Sequence, residues 1–404
     1  MFVQKLRYLN LFWPGLTLAA GGWLATQPAQ AASFNGLYVG DQTLDAIYLT
    51  QDTNQNGDAN DPGEINLFFD GTNASGLASP TSSVFTLLQG SQDFLYYGDG
   101  GTDSVYRLWD RNQDGDALDA GEANVWFSAD NANGFPLLTP NGLAQGSDGA
   151  IYIVEADTVG TPNGDFVYRT EDLNGDGDAN DAGESSVWLD LKALNPNSSP
   201  FEITFIGDVA YIIDSVGFDT NVIYRAEDLD GSGAIAADEV TILIDETRAP
   251  VDFALASDDN SLFTVELLDF AGPQSVFRIE DGATTLATEV WNSTVLPDEF
   301  SLFAAFSIAA GPGGELAITS NGGDPNEDTV FRLLDLNGDG DYFDDGETVV
   351  YASRALNGLF PERPRAVAYR TPASDPVSVP EPGLVLGLGM VSALGYRRWH
   401  RRST

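Results

Sequence analysis

Val167-Tyr168-Arg169-Thr170-Glu171-Asp172-Leu173-Asn174-Gly175-Asp176-Gly177-Asp178-Ala179-Asn180-Asp181-Ala182-Gly183-Glu184 carries the two signals on which the fold turns. Its start is apolar and aromatic, as a strand requires, and it runs into Asp, Asn and Gly, the residues of tight turns. The opening pattern is apolar, aromatic, usually Arg, two variable residues, then Asp. It recurs at Ile47-Tyr48…Asp52, Val105-Tyr106-Arg107…Asp110, Ile223-Tyr224-Arg225…Asp228, Val276-Phe277-Arg278…Asp281 and Val330-Phe331-Arg332…Asp335. The aromatic positions are 58, 62, 56, 53 and 54 residues apart, a period that suits a four-stranded unit.

The third unit shows the four runs most clearly, at Gly142 to Gly146, Ala150 to Glu155, Phe166 to Arg169 and Ser186 to Leu191. Gly, Asn, Asp and Pro bound them, and the body has no long helical period. Six such units in a ring predict an all-β fold, a six-bladed β-propeller of four-stranded antiparallel blades. The first unit lacks a first run before Gly36-Leu37-Tyr38-Val39, and Arg365 to Tyr369 follows the sixth unit as a spare. That C-terminal strand is expected to join the first blade and close the ring. An open two-sheet array is the alternative and leaves sheet edges exposed. The blade pattern resembles the broad family of six-bladed propellers that includes gluconolactonase-like enzymes, a likeness of architecture that does not establish activity.

Five units carry an acidic loop between their third and fourth runs. Four share a thirteen-residue form: Asp52, Asn54, Asn56, Asp58, Asp61, Glu64; Asp110, Asn112, Asp114, Asp116, Asp119, Glu122; Asp172, Asn174, Asp176, Asp178, Asp181, Glu184; and Asp335, Asn337, Asp339, Asp341, Asp344, Glu347. The fourth unit offers Asp228, Asp230, Ser232, the main-chain carbonyl of Ala234, and Glu239. Ca²⁺ takes six to eight hard oxygens from a tightly curved loop. Oxygens at loop positions 1, 3 and 5 converge if the chain turns at a Gly in position 6, and a late carboxylate closes the shell. The fourth loop resembles that of the EF-hand family. The other four move Glu to position 13 and add Asp at position 10, leaving open which of the two binds. An EF-hand has flanking helices; these loops join strands, so the likeness covers the loop alone. The fifth unit replaces the loop by the short turn Glu280-Asp281-Gly282, so the loop serves something other than chain reversal. Calcium is the expected cofactor.

The whole chain has 61 acidic and 18 basic residues, a net charge of -43, and no Cys. Such a field repels nucleic acid and attracts cations. An aromatic content of 11% argues for a core rather than a disordered acidic tail. Lys5, Arg7, Arg397, Arg398, Arg401 and Arg402 hold a third of the basic charge at the two ends. Residues 1–31 read as a signal peptide: Lys5 and Arg7, an apolar run from Leu9 to Leu24, then Ala29-Gln30-Ala31. The propeller with its calcium loops is expected over 32–371, followed by a linker at 372–378. Val379-Pro380-Glu381-Pro382, the uncharged stretch 383–396 and the terminal Arg cluster complete the chain. The order at 379–404 resembles the PEP-CTERM sorting signal. The resemblance implies transient membrane anchoring through 383–396, processing by an exosortase, and delivery to the cell surface or extracellular matrix of a Gram-negative bacterium.

The only His is His400, and Lys192 is the only Lys outside the N-terminal segment. Ser-His-Asp catalysis and histidine-ligated zinc are excluded for the body. Carboxylate or metal chemistry is left. By register, Thr86, Gly142, Glu202, Asp252, Ser307 and Arg365 are expected to ring the mouth of the channel, with Glu202 and Asp252 as weak catalytic candidates: a metal pair or an acid/base pair. The recurrent Arg residues are expected to pair with acid in their own blades. Two functions follow: a non-enzymatic calcium-binding propeller that contacts extracellular polysaccharide or other cell-surface material, or a secreted metal-dependent lactonase or esterase.

Overall fold

The computed structural model describes residues 34–370 apart from 78–83, 157–163, 218–219, 246–253, 259–260, 266–272 and 283–285. The signal-peptide, linker and sorting segments lie outside the described residues, as does Asp252. Among the described residues no helix is long and apolar enough to cross a membrane.

Six four-stranded antiparallel sheets make up the body. The third unit runs Pro140–Gln145, Ile151–Glu155, Phe166–Thr170 and Ser185–Asp190. Its inner strand packs against those of its neighbours. The six innermost strands, Val84–Gln89, Pro140–Gln145, Pro200–Ile206, Leu255–Ser257, Ile308–Ala310 and Pro364–Tyr369, follow one another around a closed ring. The architecture is therefore the six-bladed propeller that the repeat predicted. The closing strand is as expected: Pro364–Tyr369 pairs antiparallel with Leu37–Asp41, Tyr369 opposite Leu37 and Val367 opposite Val39. Ala366, Val367, Ala368 and Tyr369 are all buried there, so the two ends of the propeller body share one sheet and one core.

Two irregularities recur, one in all six blades and one in four of them, and neither was legible in the period. The outermost strand bulges by one residue, at Phe68, Trp126, Trp188, Leu243, Val290 and Tyr351. All six bulge residues are buried and apolar. A bulge leaves one residue outside the ladder, and here it turns a large side chain into the space between blades. The Trp126 indole donates to Thr170 Oγ1 of the third blade at 3.0 Å, and the Tyr351 hydroxyl to the Thr50 carbonyl of the first at 3.2 Å.

Four inner strands bulge at their second residue, whereas Ile308–Ala310 of the sixth blade pairs in straight register. Phe85, Asn141, Phe201 and Arg365 fall between paired neighbours. This shifts the channel lining by one residue from the expected set.

In the first four blades the second strand carries a fully buried acid: Asp41, Asp99 and Glu155 at the last residue, and Asp214 three residues before the end. Each ties down the loop leading into a strand. Glu155 accepts the amides of Leu138 and Thr139, and Asp214 accepts the Ser199 amide at 2.7 Å and the Ser198 hydroxyl at 2.9 Å. Asp214 differs in that its Oδ2 is buried with no hydrogen-bond partner among the described residues. Burial pushes its carboxyl up to about 7, against the lowering pull of those two donors. A raised carboxyl stays protonated in the fold after the unfolded chain has ionised, so its contribution falls as pH rises from about 4 to about 7. Between pH 5 and pH 7.5 the wild type is expected to lose about 2–3 kcal/mol more than Asp214→Asn. Urea unfolding at both pH values checks this; parallel losses would refute it.

Candidate metal sites in the acidic loops and the central channel

The acidic loops have one construction. Gly57, Gly115, Gly177, Gly233 and Gly340, at position 6, have φ of +104°, +103°, +106°, +82° and +88°, a region that favours glycine. That is the sharp turn the spacing required. In the third loop Asp172 accepts the amides of Gly175 at 2.6 Å and Gly177 at 2.9 Å, and the Asn174 side-chain oxygen accepts the Asp176 amide at 2.8 Å. Asp178 accepts the amide of Asn180 at 2.8 Å. The side chains thereby wind the backbone around the loop's own centre.

The late carboxylates have separate tasks. Glu184 is buried; its Oε1 accepts the amides of Leu173 and Asn174 at 3.0 and 3.2 Å, and its Oε2 that of Asp181 at 3.2 Å. Glu64 and Glu122 repeat this arrangement on their own loops. Glu347 does so with Leu336 and Asp344. An oxygen with two amide donors has both lone pairs committed, while Oε2 keeps one. Asp181 is exposed and reaches across the loop to the Asn174 amide nitrogen at 2.7 Å. Asp61, Asp119 and Asp344 do the same to Asn54, Asn112 and Asn337. Glu at position 13 is thus the latch that closes the loop, with one oxygen still available, and Asp at position 10 points at the side chain of position 3.

Three loops bring carboxylate oxygens within 4.8 Å of one another: Asp114, Asp116 and Glu122; Asp176, Asp178 and Glu184; Asp228, Asp230 and Glu239. These sets could hold a divalent cation. Hydrogen bonds from the Gly233, Ser232 and Gly231 amides hold the Asp228 carboxyl below its ordinary range, so it stays charged at neutral pH.

Each loop also reaches out of its own blade. The residue at position 8 donates its amide to the bulged carbonyl of the preceding blade's outermost strand. The pairs are Ala59 to Tyr351 at 2.7 Å, Ala117 to Phe68 at 2.8 Å, Ala179 to Trp126 at 2.8 Å, Ile235 to Trp188 at 2.6 Å and Tyr342 to Val290 at 2.8 Å. All five donors have buried side chains. The loops therefore sit at the rim and rivet five of the six blade junctions, including the one between the sixth and first blades. An apolar residue recurring at position 8 of an otherwise polar loop was the sequence signal for this contact. At the remaining junction the short turn of the fifth blade substitutes: Asp281 accepts from Arg225 at 3.0 Å and from the Tyr211 hydroxyl at 2.5 Å.

The recurrent Arg residues divide. Arg169, Arg225 and Arg332 pair with Asp148, Glu227 and Glu315 of their own blades, as expected. Arg278 lies 3.8 Å from Glu280 of its own strand and also donates to the Gly340 carbonyl of the next blade's loop at 3.0 Å, whereas Arg107 stacks over Phe94. A side chain at Gly177 or Gly340 would strike those two guanidiniums.

The channel differs from its expected lining. A cavity of about 120 Å³ is lined by Phe85, Asn141, Phe201, Glu202, Phe306 and Arg365. Glu202 and Arg365 are there, whereas the inner-strand bulge puts Phe85 and Asn141 on the axis in place of Thr86 and Gly142. In the sixth blade Phe306 takes the place expected of Ser307. Glu202 is partly exposed to the channel, yet burial pushes its carboxyl well above the ordinary range, opposed by the amides of Ile203 and Leu143. It sits over Gly142, where a Cβ would fall 2.9 Å from Glu202 Oε1. Of the proposed pair only Glu202 can be placed, and a guanidinium shares its cavity.

No family model matches the chain, and no curated protein sequence matches it. Solved structures do. A structure of a nidogen/laminin complex aligns with a TM-score of 0.51 at 14% identity, covering 84% of this chain and 99% of that one. A gluconolactonase of Xanthomonas campestris aligns at 0.44 and 13%, covering 81% and 88%. A calcium-binding protein, regucalcin, of Agrobacterium tumefaciens aligns at 0.40 and 13%, covering 65% and 74%. At these identities the likeness is one of fold.

Proposed function

We propose that this chain is an exported calcium-binding β-propeller with a structural or adhesive role at the cell surface or in the extracellular polysaccharide matrix. One observation carries the calcium part: the same loops that gather carboxylates also clasp the neighbouring blade through position 8. An ion that fixes such a loop fixes a blade junction, which suits a chain with no Cys for covalent staples. Five Ca²⁺ ions would also offset ten negative charges of a chain at -43. Ca²⁺ fits the donor set better than softer metals, because the loops offer only oxygen.

Export and surface delivery rest on the N-terminal segment and on the resemblance of 379–404 to the PEP-CTERM signal. Deletion of 379–404 tests this in a Gram-negative host with an exosortase. The full chain is expected at the surface in a form shortened near Val379-Pro380-Glu381-Pro382, and the deleted chain in the medium or periplasm. Identical location and unshortened mass for both would overturn it.

The second reading, a lactonase or esterase at the channel, has Glu202 in its favour: burial raises its carboxyl well above the ordinary range, the direction a general acid needs. A hydrolase screen in which Glu202→Gln abolished a detected activity would favour this reading over the first.

A further inference from the structure

The channel cavity holds a guanidinium that pairs with no acid among the described residues. Arg365 is the bulged second residue of the closing strand, and its side chain turns to the axis. Its guanidinium carbon lies 4.6 Å from the centre of the Phe85 ring and 5.0 Å from that of Phe306. The two rings cover the guanidinium faces, a favourable contact. They cannot accept from its edge, where five N–H donors lie in the plane. Those donors have no hydrogen-bond or ion-pair partner among the described residues, and burial alone draws the group down to about 10.

The one acid in the described lining is Glu202, whose carboxyl burial raises well above its ordinary range and which accepts the Ile203 amide at 3.3 Å, with no ion pair to Arg365. Asn141 spends its side-chain amide on the Pro200 carbonyl at 3.0 Å. An uncompensated charge in a partly dry cavity is costly, so an external anion is the natural complement. The chain's overall charge of -43 opposes anions at long range, and salt screens that field beyond about 8 Å, leaving the local guanidinium to decide.

Size and walls narrow the class. About 120 Å³ is room for about four waters at roughly 30 Å³ each. A carboxylate matches the guanidinium fork with two parallel hydrogen bonds. Phe85, Phe201 and Phe306 then leave an apolar wall for a short hydrocarbon tail. We propose that the central channel binds a small monocarboxylate of two or three carbons, its carboxylate on the Arg365 edge and its tail against the phenylalanines. The site is independent of the acidic loops, which lie at the rim.

The test is calorimetric titration of the purified chain with sodium propionate, sodium chloride and sodium sulfate, at fixed ionic strength and fixed Ca²⁺. Saturable binding of propionate is expected, with chloride and sulfate at least tenfold weaker. Arg365→Met should weaken propionate at least tenfold. In anion-poor buffer the same variant should melt at the wild-type temperature or above it, since it removes an unpaired charge. Chloride matching propionate, or propionate binding unchanged in Arg365→Met, overturns the assignment. So does the absence of any propionate binding to the wild type. Arg365→Met melting lower in anion-poor buffer would show a structural guanidinium already compensated within the protein, and overturns it too.

Discussion

Excess chelator is expected to lower the Tm of the propeller by about 10 °C or more, and added Ca²⁺ to restore it. A ligand that binds only the folded state stabilises by about 2.7 kcal/mol when present at about a hundred times its Kd. Four loops share one form and the loop of the fourth unit is a shorter variant, all five with the same position-6 turn, so their contributions accumulate over the ring. A large domain shifts by roughly 2 °C per kcal/mol, which gives the expected drop. Unfolding of the chelated protein should begin at blade junctions, because the loop that loses its ion is the loop that holds the preceding blade's bulged carbonyl. Replacing Ala179 by Pro removes that donor at one junction while sparing every acidic side chain. It should cost about 3 kcal/mol and leave the other junctions riveted. Mg²⁺ should restore less than Ca²⁺, since it demands near-octahedral geometry and parts reluctantly with water. A Tm unaffected by chelator would refute the proposal that calcium stabilises the ring.

The second large effect concerns closure. A chain ending at Arg363 lacks the innermost strand of its first blade, whereas one ending at Arg370 keeps it. The shorter chain loses the burial of Ala366, Val367, Ala368 and Tyr369, at about 1–3 kcal/mol for each larger side chain. It also exposes the ladder edge of Leu37–Asp41 to other molecules. With the lost ladder hydrogen bonds, about 1 kcal/mol each, the loss reaches the lower part of a whole domain's stability, about 5–15 kcal/mol. The expected result is an aggregating chain with no cooperative transition, against a sharp one for the longer form. Equal thermal transitions for the two would show that the ring does not depend on this strand.

Much of this was legible in the sequence because the repeat is strong. Six copies of one strand motif set the blade number, and a missing run at the start with a spare at the end set the closure. The position-6 glycines announced the sharp turns that the backbone adopts. The bulges were not legible, since a single extra residue leaves alternation and period almost unchanged. They decide two features of consequence. The outer bulge, at Trp126 or Tyr351 for instance, offers its carbonyl to the next blade's loop. The inner bulge replaces Thr86 and Gly142 on the axis with Phe85 and Asn141, so the channel is more aromatic than simple alternation implied. The roles of Glu184 and Asp181 could not be divided from spacing either. That division depends on which main-chain amides the loop points inward, a property of the folded backbone.

Whether the acidic loops hold Ca²⁺ is read without intermediaries by bound-metal stoichiometry. The propeller body, residues 32–371, purified in Ca²⁺ and freed of unbound ion, is expected to carry five Ca²⁺ per chain by elemental analysis, falling to four when the third loop loses Asp172, Asp176 and Glu184 to Ala; a body that retains no Ca²⁺ would contradict the calcium reading.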